Sequence, residues 1–436
     1  MSTPLRTSTK ELKHSRSNGR RPECLLPFSG ISARKKVGAK TVKKKISLGL
    51  TISLMVLSAA VTFVLTLAFS RAIFNHEIAE VERLGDRFDR LNELDKKVHE
   101  EFYTDDISED DVTDQMLAGY VAGLGDPYSV YRSDKELSDY QNNTAGVYVG
   151  IGIIVQQHED GQVEIIEVTD GGSAKEAGIE AGDYLLEVEG INASEHYKEA
   201  VEAVSGEVNT TVKLLIRKGA DGEEKEYSVK RAQIDQITVS SEMLEGKIGY
   251  IRIEKFRTVT VEQFESARQE LLKQGAVGFI FDVRNNGGGL LSALEKMVDP
   301  ILPEGELAFA YTRNGDATTI IKSDKKEQIM PYVVLVNGNS ASASELFACV
   351  MRDYGGAKLV GEQTFGKGIM QTTFELSNGG LTLTTATYAT GKTPCYHGIG
   401  LTPDVISKAE ENAETDTQLE DAEKVIGEMI TAGSTN

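Results

Sequence analysis

The sequence predicts an α/β protein: a body of alternating strands and helices, a small α+β module ahead of it, and one apolar helix near the N-terminus. Three observations carry this. Apolar strand-like runs at 247–253, 277–283 and 332–336 alternate with helical runs at 261–274 and 345–354. Residues 146–233 pack several short strand patterns and one helical run between glycine-rich turns. Residues 46–70 form a stretch of 25 residues without a charge.

Taken in order, residues 1–45 are polar and rich in Ser and Gly, with 13 Lys or Arg against two acids, Glu11 and Glu23. That composition predicts a disordered basic tail. A helix over 46–70 rises about 37 Å, enough to span a bilayer. A cleavable signal would have a shorter apolar core of roughly 7 to 15 residues. The basic residues precede the helix, so a single-pass chain would keep its N-terminus in the cytoplasm and the rest outside the cell membrane. Membrane lipid is thus an expected partner.

Residues 72–142 are charged and helical. Ile78, Val81, Leu84 and Phe88 recur at helical spacing, followed by Leu91 and Leu94. Gly125-Asp126-Pro127-Tyr128-Ser129 is a turn signal. In the 146–233 module, Gly150 to Ile153 open a strand, 162–168 and 210–217 are strands, 197–204 is a helix, and 226–230 is a strand. The body combines 72–142 with 234–406. Within it, Asp282-Val-Arg284-Asn-Asn-Gly287-Gly288-Gly289 is a glycine loop between strand and helix, a place where backbone N–H groups are exposed. Residues 381–389 alternate like an exposed edge strand. Residues 407–436 read as an acidic tail with a short amphipathic stretch at 422–430.

Several functions are excluded. The formal net charge is −20, and the basic tail leaves the rest still more acidic, which argues against nucleic-acid binding. Three cysteines make no disulfide framework. Six scattered histidines show no ligand spacing, so no metal and no cofactor are expected. The segment from Gly361 to Lys367 begins like a phosphate-binding loop, but Gly368 stands where Ser or Thr would hold magnesium.

The chemistry concentrates in 333–374. Three alternating serines, Ser340, Ser342 and Ser344, lie between an apolar strand and a helical run. Lys367 follows 25 residues after the middle serine, between Gly366 and Gly368, with Gln371 four residues on. A serine becomes a nucleophile when a base takes its proton. Lysine can be that base once neutral, and apolar burial lowers its pKa by up to roughly 3 to 5 units from about 10.4. Ser342-Ala-Ser-Glu345 is equally a helix capping box, and spacing alone does not choose among the three serines.

SASASE followed by GEQTFGKGxxQ resembles the carboxyl-terminal processing peptidases, the tail-specific serine–lysine proteases, and the similarity extends over about residues 75–406. The resemblance implies a crotonase/ClpP-like β-α-β core, Ser342 as nucleophile, Lys367 as base and Gln371 orienting the lysine. It implies an oxyanion hole from Gly288 and Ala343; Gly287 stands where the family has proline. The string AGIEAGDYLLEVEG resembles a PDZ domain, whose loop Val149-Gly150-Ile151-Gly152 would hold a peptide carboxylate on backbone N–H groups. Polypeptides with accessible C-termini are the substrates this implies, and a homo-oligomer is allowed. Two rival readings stay open: a catalytically silent PDZ scaffold at the membrane, and a serine hydrolase acting on esters or lactams.

Overall fold

The computed structural model describes residues 47–169, 171–324, 330–409 and 415–433, with 72–83 as backbone. The basic segment 1–45 lies outside the described residues, as do the side chains of Ile78 and Val81. The chain divides into two compact units, Met1–Asp105 and Asp106–Asn436.

In the first unit the apolar run and the charged run after it are one continuous helix, Leu48–Glu101. The expected boundary near residue 71 is absent because charge alone does not break a helix; no Pro interrupts it. Its part Leu48–Arg71 is long and apolar enough to cross a membrane. The apolar side chains there, Leu54, Met55, Val64 and Phe69 among them, are exposed.

The second unit is built on a six-stranded sheet. Its strands run in order Val239–Leu244, Ile248–Ile253, Gly278–Asp282, Tyr332–Val336, Lys358–Gly361 and Val405–Ile406. The first pair is antiparallel and every later pair is parallel. Parallel neighbours need crossovers, and the helices Thr258–Lys273 and Ala343–Gly355 supply two of them. Successive residues point to opposite faces. Phe279, Phe281, Val334 and Val336 join one apolar cluster with the helices, and Ile280, Val333 and Leu335 join another. Both faces must therefore be covered, which is why these strands are apolar throughout.

The second face is covered by the helix Thr417–Gly433, through Ala422 and Ile426. Residues 407–436 are thus not merely an acidic tail. Arg284, at the root of the glycine loop, ties this segment down: it bonds Asp282 at 2.6 Å and Asp416 at 2.7 Å. The Asp416 carboxyl is held below its usual range by that guanidinium, against the opposing effect of burial.

A second, five-stranded sheet is centred on Gly380–Thr390, which pairs with Val130–Arg132, Gly305–Thr312 and Ile369–Glu375. The expected edge strand at 381–389 is therefore the hub. Alternation reports a half-buried strand and says nothing of how many neighbours it has.

The inserted module has its own core, including Ile151, Ile165, Leu185, Val212 and Ile216. Its main sheet runs Ile153–Gln157, Val163–Val168, Tyr184–Val188, Thr211–Arg217, Glu224–Lys230. The chain enters through Val147–Gly150 and leaves through Ala232–Asp235, and these two strands pair antiparallel. Gln236 N–H donates to Gly146 O at 2.8 Å, so the two ends of the insertion meet.

Candidate active site

Ser342 stands at the head of the helix Ala343–Gly355, a few residues beyond the buried strand Tyr332–Val336. Its backbone lies at φ 58°, ψ −116°. A non-glycine residue there carries strain of roughly 1 to 3 kcal/mol. An ordinary cap has extended backbone, as Ser133 does at φ −60°, ψ 167°. Glu345 supplies its half of the capping box, accepting Ser342 N–H at 2.9 Å. Capping alone gives no reason for the strain.

The flanking serines are structural. Ser340 donates its hydroxyl to Val283 O and Ser344 donates to Asn286 O, each at 2.8 Å, and both residues are buried. Ala341 N–H also donates to Asn286 O, at 3.0 Å. These bonds weld the serine turn to the glycine loop. Ser342 is the partly exposed member of the three.

The lysine loop, 362–368, is drawn to the same place by the Glu345 carboxylate. One oxygen accepts Lys367 N–H at 2.8 Å as well as Ser342 N–H. The other accepts Gly366 N–H at 2.7 Å and the Thr364 hydroxyl at 2.6 Å. The backbones of Ser342 and Lys367 are thus separated by a single oxygen. Tyr388 donates its hydroxyl to Lys367 O at 2.6 Å. Burial raises the Tyr388 pKa, and the nearby Ser342 side chain opposes the rise. The candidate nucleophile and the lysine therefore share a third neighbour.

Burial lowers the Lys367 pKa from its usual value, and the Asp126 carboxylate opposes the shift. The ammonium sits 4.1 Å from the centre of the Tyr128 ring, a contact that favours the charged form. The turn carrying both is fixed by Ser129, which donates to Asp126 at 2.6 Å. Gln371, expected to orient the lysine, instead donates to the Thr384 hydroxyl at 3.1 Å. A register shift between Met370 and Gln371 re-aims its side chain. Tyr128 and Asp126 both face Lys367.

Gly288 packs directly on the serine turn. A Cβ there would lie 2.7 Å from Ala341 O and 2.9 Å from both Ala343 N and Ser342 Cβ. Its own N–H donates to the Asn286 side chain at 2.9 Å, so an anion using that donor must compete with Asn286. Ala343 N–H, in the first turn of the helix, has no acceptor among the described residues.

In the module, Val149 and Gly150 belong to the entry strand and pair with Gln233 and Ala232. The loop itself is Ile151-Gly152, whose carbonyls accept from Ala174 and Thr169 at 2.9 Å. The strand after it, Ile153–Gln157, is an edge of its sheet. Tyr197, first residue of the helix Tyr197–Val204, donates its hydroxyl to Val155 O at 3.3 Å on that edge.

Four of these residues carry no functional signature in the sequence. Glu345 was visible only as a capping residue. Asn286, Tyr388 and Tyr128 carried no pattern of their own, although Tyr128 lies in the turn signal.

The class this fits is a serine hydrolase: an α/β body with a strained serine heading a helix and a partly desolvated lysine on the loop whose backbone shares the Glu345 carboxylate with it. Comparison with known proteins agrees. Residues 247–407 match peptidase family S41 and residues 164–218 match a PDZ domain. The carboxy-terminal processing protease CtpA of Bacillus subtilis (strain 168) is 32% identical over 324 residues, covering 73% of this chain and 68% of that protein. A probable CtpA-like serine protease of Staphylococcus aureus (strain N315) is 31% identical over 360 residues, covering 81% and 71%. The solved photosystem II D1 C-terminal processing protease is 27% identical with a TM-score of 0.42, covering 76% of this chain and 89% of that one. The chain belongs to the carboxy-terminal processing proteases of family S41, which are serine peptidases.

Proposed function

We propose that this protein is a membrane-anchored serine endopeptidase that cuts polypeptides near their C-termini through a Ser342–Lys367 dyad. The observation that carries the reading is the strained Ser342 backbone, tied with Lys367 to one carboxylate. In this mechanism neutral Lys367 takes the Ser342 proton as the oxygen attacks the scissile carbonyl. The oxyanion is met by Ala343 N–H and by Gly288 N–H, the latter released from Asn286. The proton then passes to the leaving amine, and water hydrolyses the acyl-enzyme by the same route. For Gln371 to orient the lysine, Lys367 has to leave Tyr128. The body is read as a crotonase/ClpP-like core, and the helix Leu48–Arg71 as a single-pass anchor with a cytoplasmic N-terminus.

A base that must be neutral gives a rate that rises with pH. Because the folded pKa of Lys367 lies below its ordinary value, kcat/KM is expected to rise through a limb centred below about 10.4. Asp126→Asn removes the charge opposing that shift, so the limb is expected to move to lower pH. A limb that stays in place in a pH–rate profile of this variant would remove Asp126 from the account.

The PDZ module is proposed to take a substrate C-terminus as an added strand along Ile153–Gln157, its carboxylate held at the Ile151-Gly152 turn. The incoming backbone then replaces Tyr197 on Val155 O. A free peptide carboxylate is expected to compete with cleavage of an unfolded protein at least about tenfold better than its amide. Equal competition by acid and amide would favour the ester or lactam hydrolase. Peptide binding with no serine labelled by a fluorophosphonate would favour the silent scaffold.

A further inference from the structure

We infer that Glu345 is a positioning residue: its buried carboxylate sets the relation between the nucleophile turn and the base loop. This rests on reading Ser342 and Lys367 as the dyad. Ser342 and Lys367 lie on separate loops, yet proton transfer needs their side chains within about 3 Å. A misplacement near 1 Å costs about 100-fold.

A carboxylate offers about four acceptor sites, and here four donors fill them: Ser342 N–H, Lys367 N–H, Gly366 N–H and the Thr364 hydroxyl. Glu345 is 0% exposed, so water does not stand in for any of them. It projects from the first turn of a 13-residue helix, whose dipole favours a negative charge there. One end of the clamp is thus rigid helix, and the other is a loop whose backbone also donates Phe365 N–H to Ser340 O and Thr364 N–H to Leu401 O, each at 3.1 Å; among these ties the carboxylate is the one that holds the Lys367 and Ser342 backbones together. The clamp also uses the Ser342 N–H, which leaves the oxyanion to other donors.

Glutamine keeps the shape but not the valence. Its one oxygen accepts from two donors, and its amide group points two hydrogens at the others. In the full chain in detergent, Glu345→Gln is expected to titrate with a fluorophosphonate to the same stoichiometry as wild type. Its kcat per titrated serine is expected to fall about 100-fold, with KM within about threefold. Thr364→Val, which removes one donor to the carboxylate together with the acceptor of Leu401 N–H, should lower kcat per titrated serine roughly three- to tenfold. A merely structural role would instead lower the titratable fraction and leave kcat per site unchanged, and that result overturns the inference. If Glu345→Gln does not fold, unchanged kcat per site in Thr364→Val overturns it. Wild type that neither cleaves nor titrates would sink the dyad itself, an outcome no Glu345 variant produces.

Discussion

Ser342→Ala is expected to reduce peptide-bond cleavage by on the order of 10⁶-fold, leaving C-terminal peptide binding intact. The same order of loss is expected for Lys367→Ala, because a nucleophile and its base fail together. Lys367→Arg is the sharper test. Arginine restores length and positive charge but does not give up its proton in a protein. If the lysine only stabilised charge, arginine would rescue much of the rate; as a base it rescues none. The measurement is release of new amino termini from an unfolded substrate by the full chain in detergent. Cleavage by Lys367→Arg above a few per cent of wild type would remove Lys367 from the role of base.

Gly288→Ala is expected to lower kcat by about 100- to 1000-fold, the usual loss for one oxyanion donor. The cause is local. The glycine has φ +99°, and an added Cβ would press on Ala341 O, Ala343 N and Ser342 Cβ together. Those neighbours are backbone or its first side-chain atom, so they cannot swing aside as a long side chain does. The glycine loop would have to retreat from the serine turn, and the gap between them is where the oxyanion is proposed to form. Gly287→Ala is the control. Its Cβ would meet only the flexible end of Lys255, at 3.5 Å, and kcat should change less than about threefold. Equal losses at the two positions would place the effect in general loop stiffness and not in the hole.

The strands of the body and module were legible because apolar runs and alternation are local properties. The strand 332–336, the helix 197–204 and the apolar helix near the N-terminus follow from short-range pattern, and the structure contains each. What escaped was set by partners far away in sequence. The strand Gly380–Thr390 is a hub because it meets Val130–Arg132 and Gly305–Thr312, neither of which its own residues specify. The helix Thr417–Gly433 looked like the end of an acidic tail because the sheet face it covers lies far upstream. At the candidate site, the Ser–Lys–Gln pattern gives three expected residues, but beside a local register shift Gln371 donates to Thr384. Glu345 was read for the bond it makes within its own helix. Its three bonds to the lysine loop are tertiary and leave no mark on the sequence.

The paired strands Val147–Gly150 and Ala232–Asp235 have a consequence for how this chain assembles. Because they join hands at the mouth of the insertion, the rest of the polypeptide sees Gly146 and Gln236 as near-neighbours. The entropy of closing such a loop is set by the number of residues between its ends and grows only slowly with that number. With a core of its own and its ends together, the inserted module is expected to tolerate replacement by a tight turn with the strands of the body still paired.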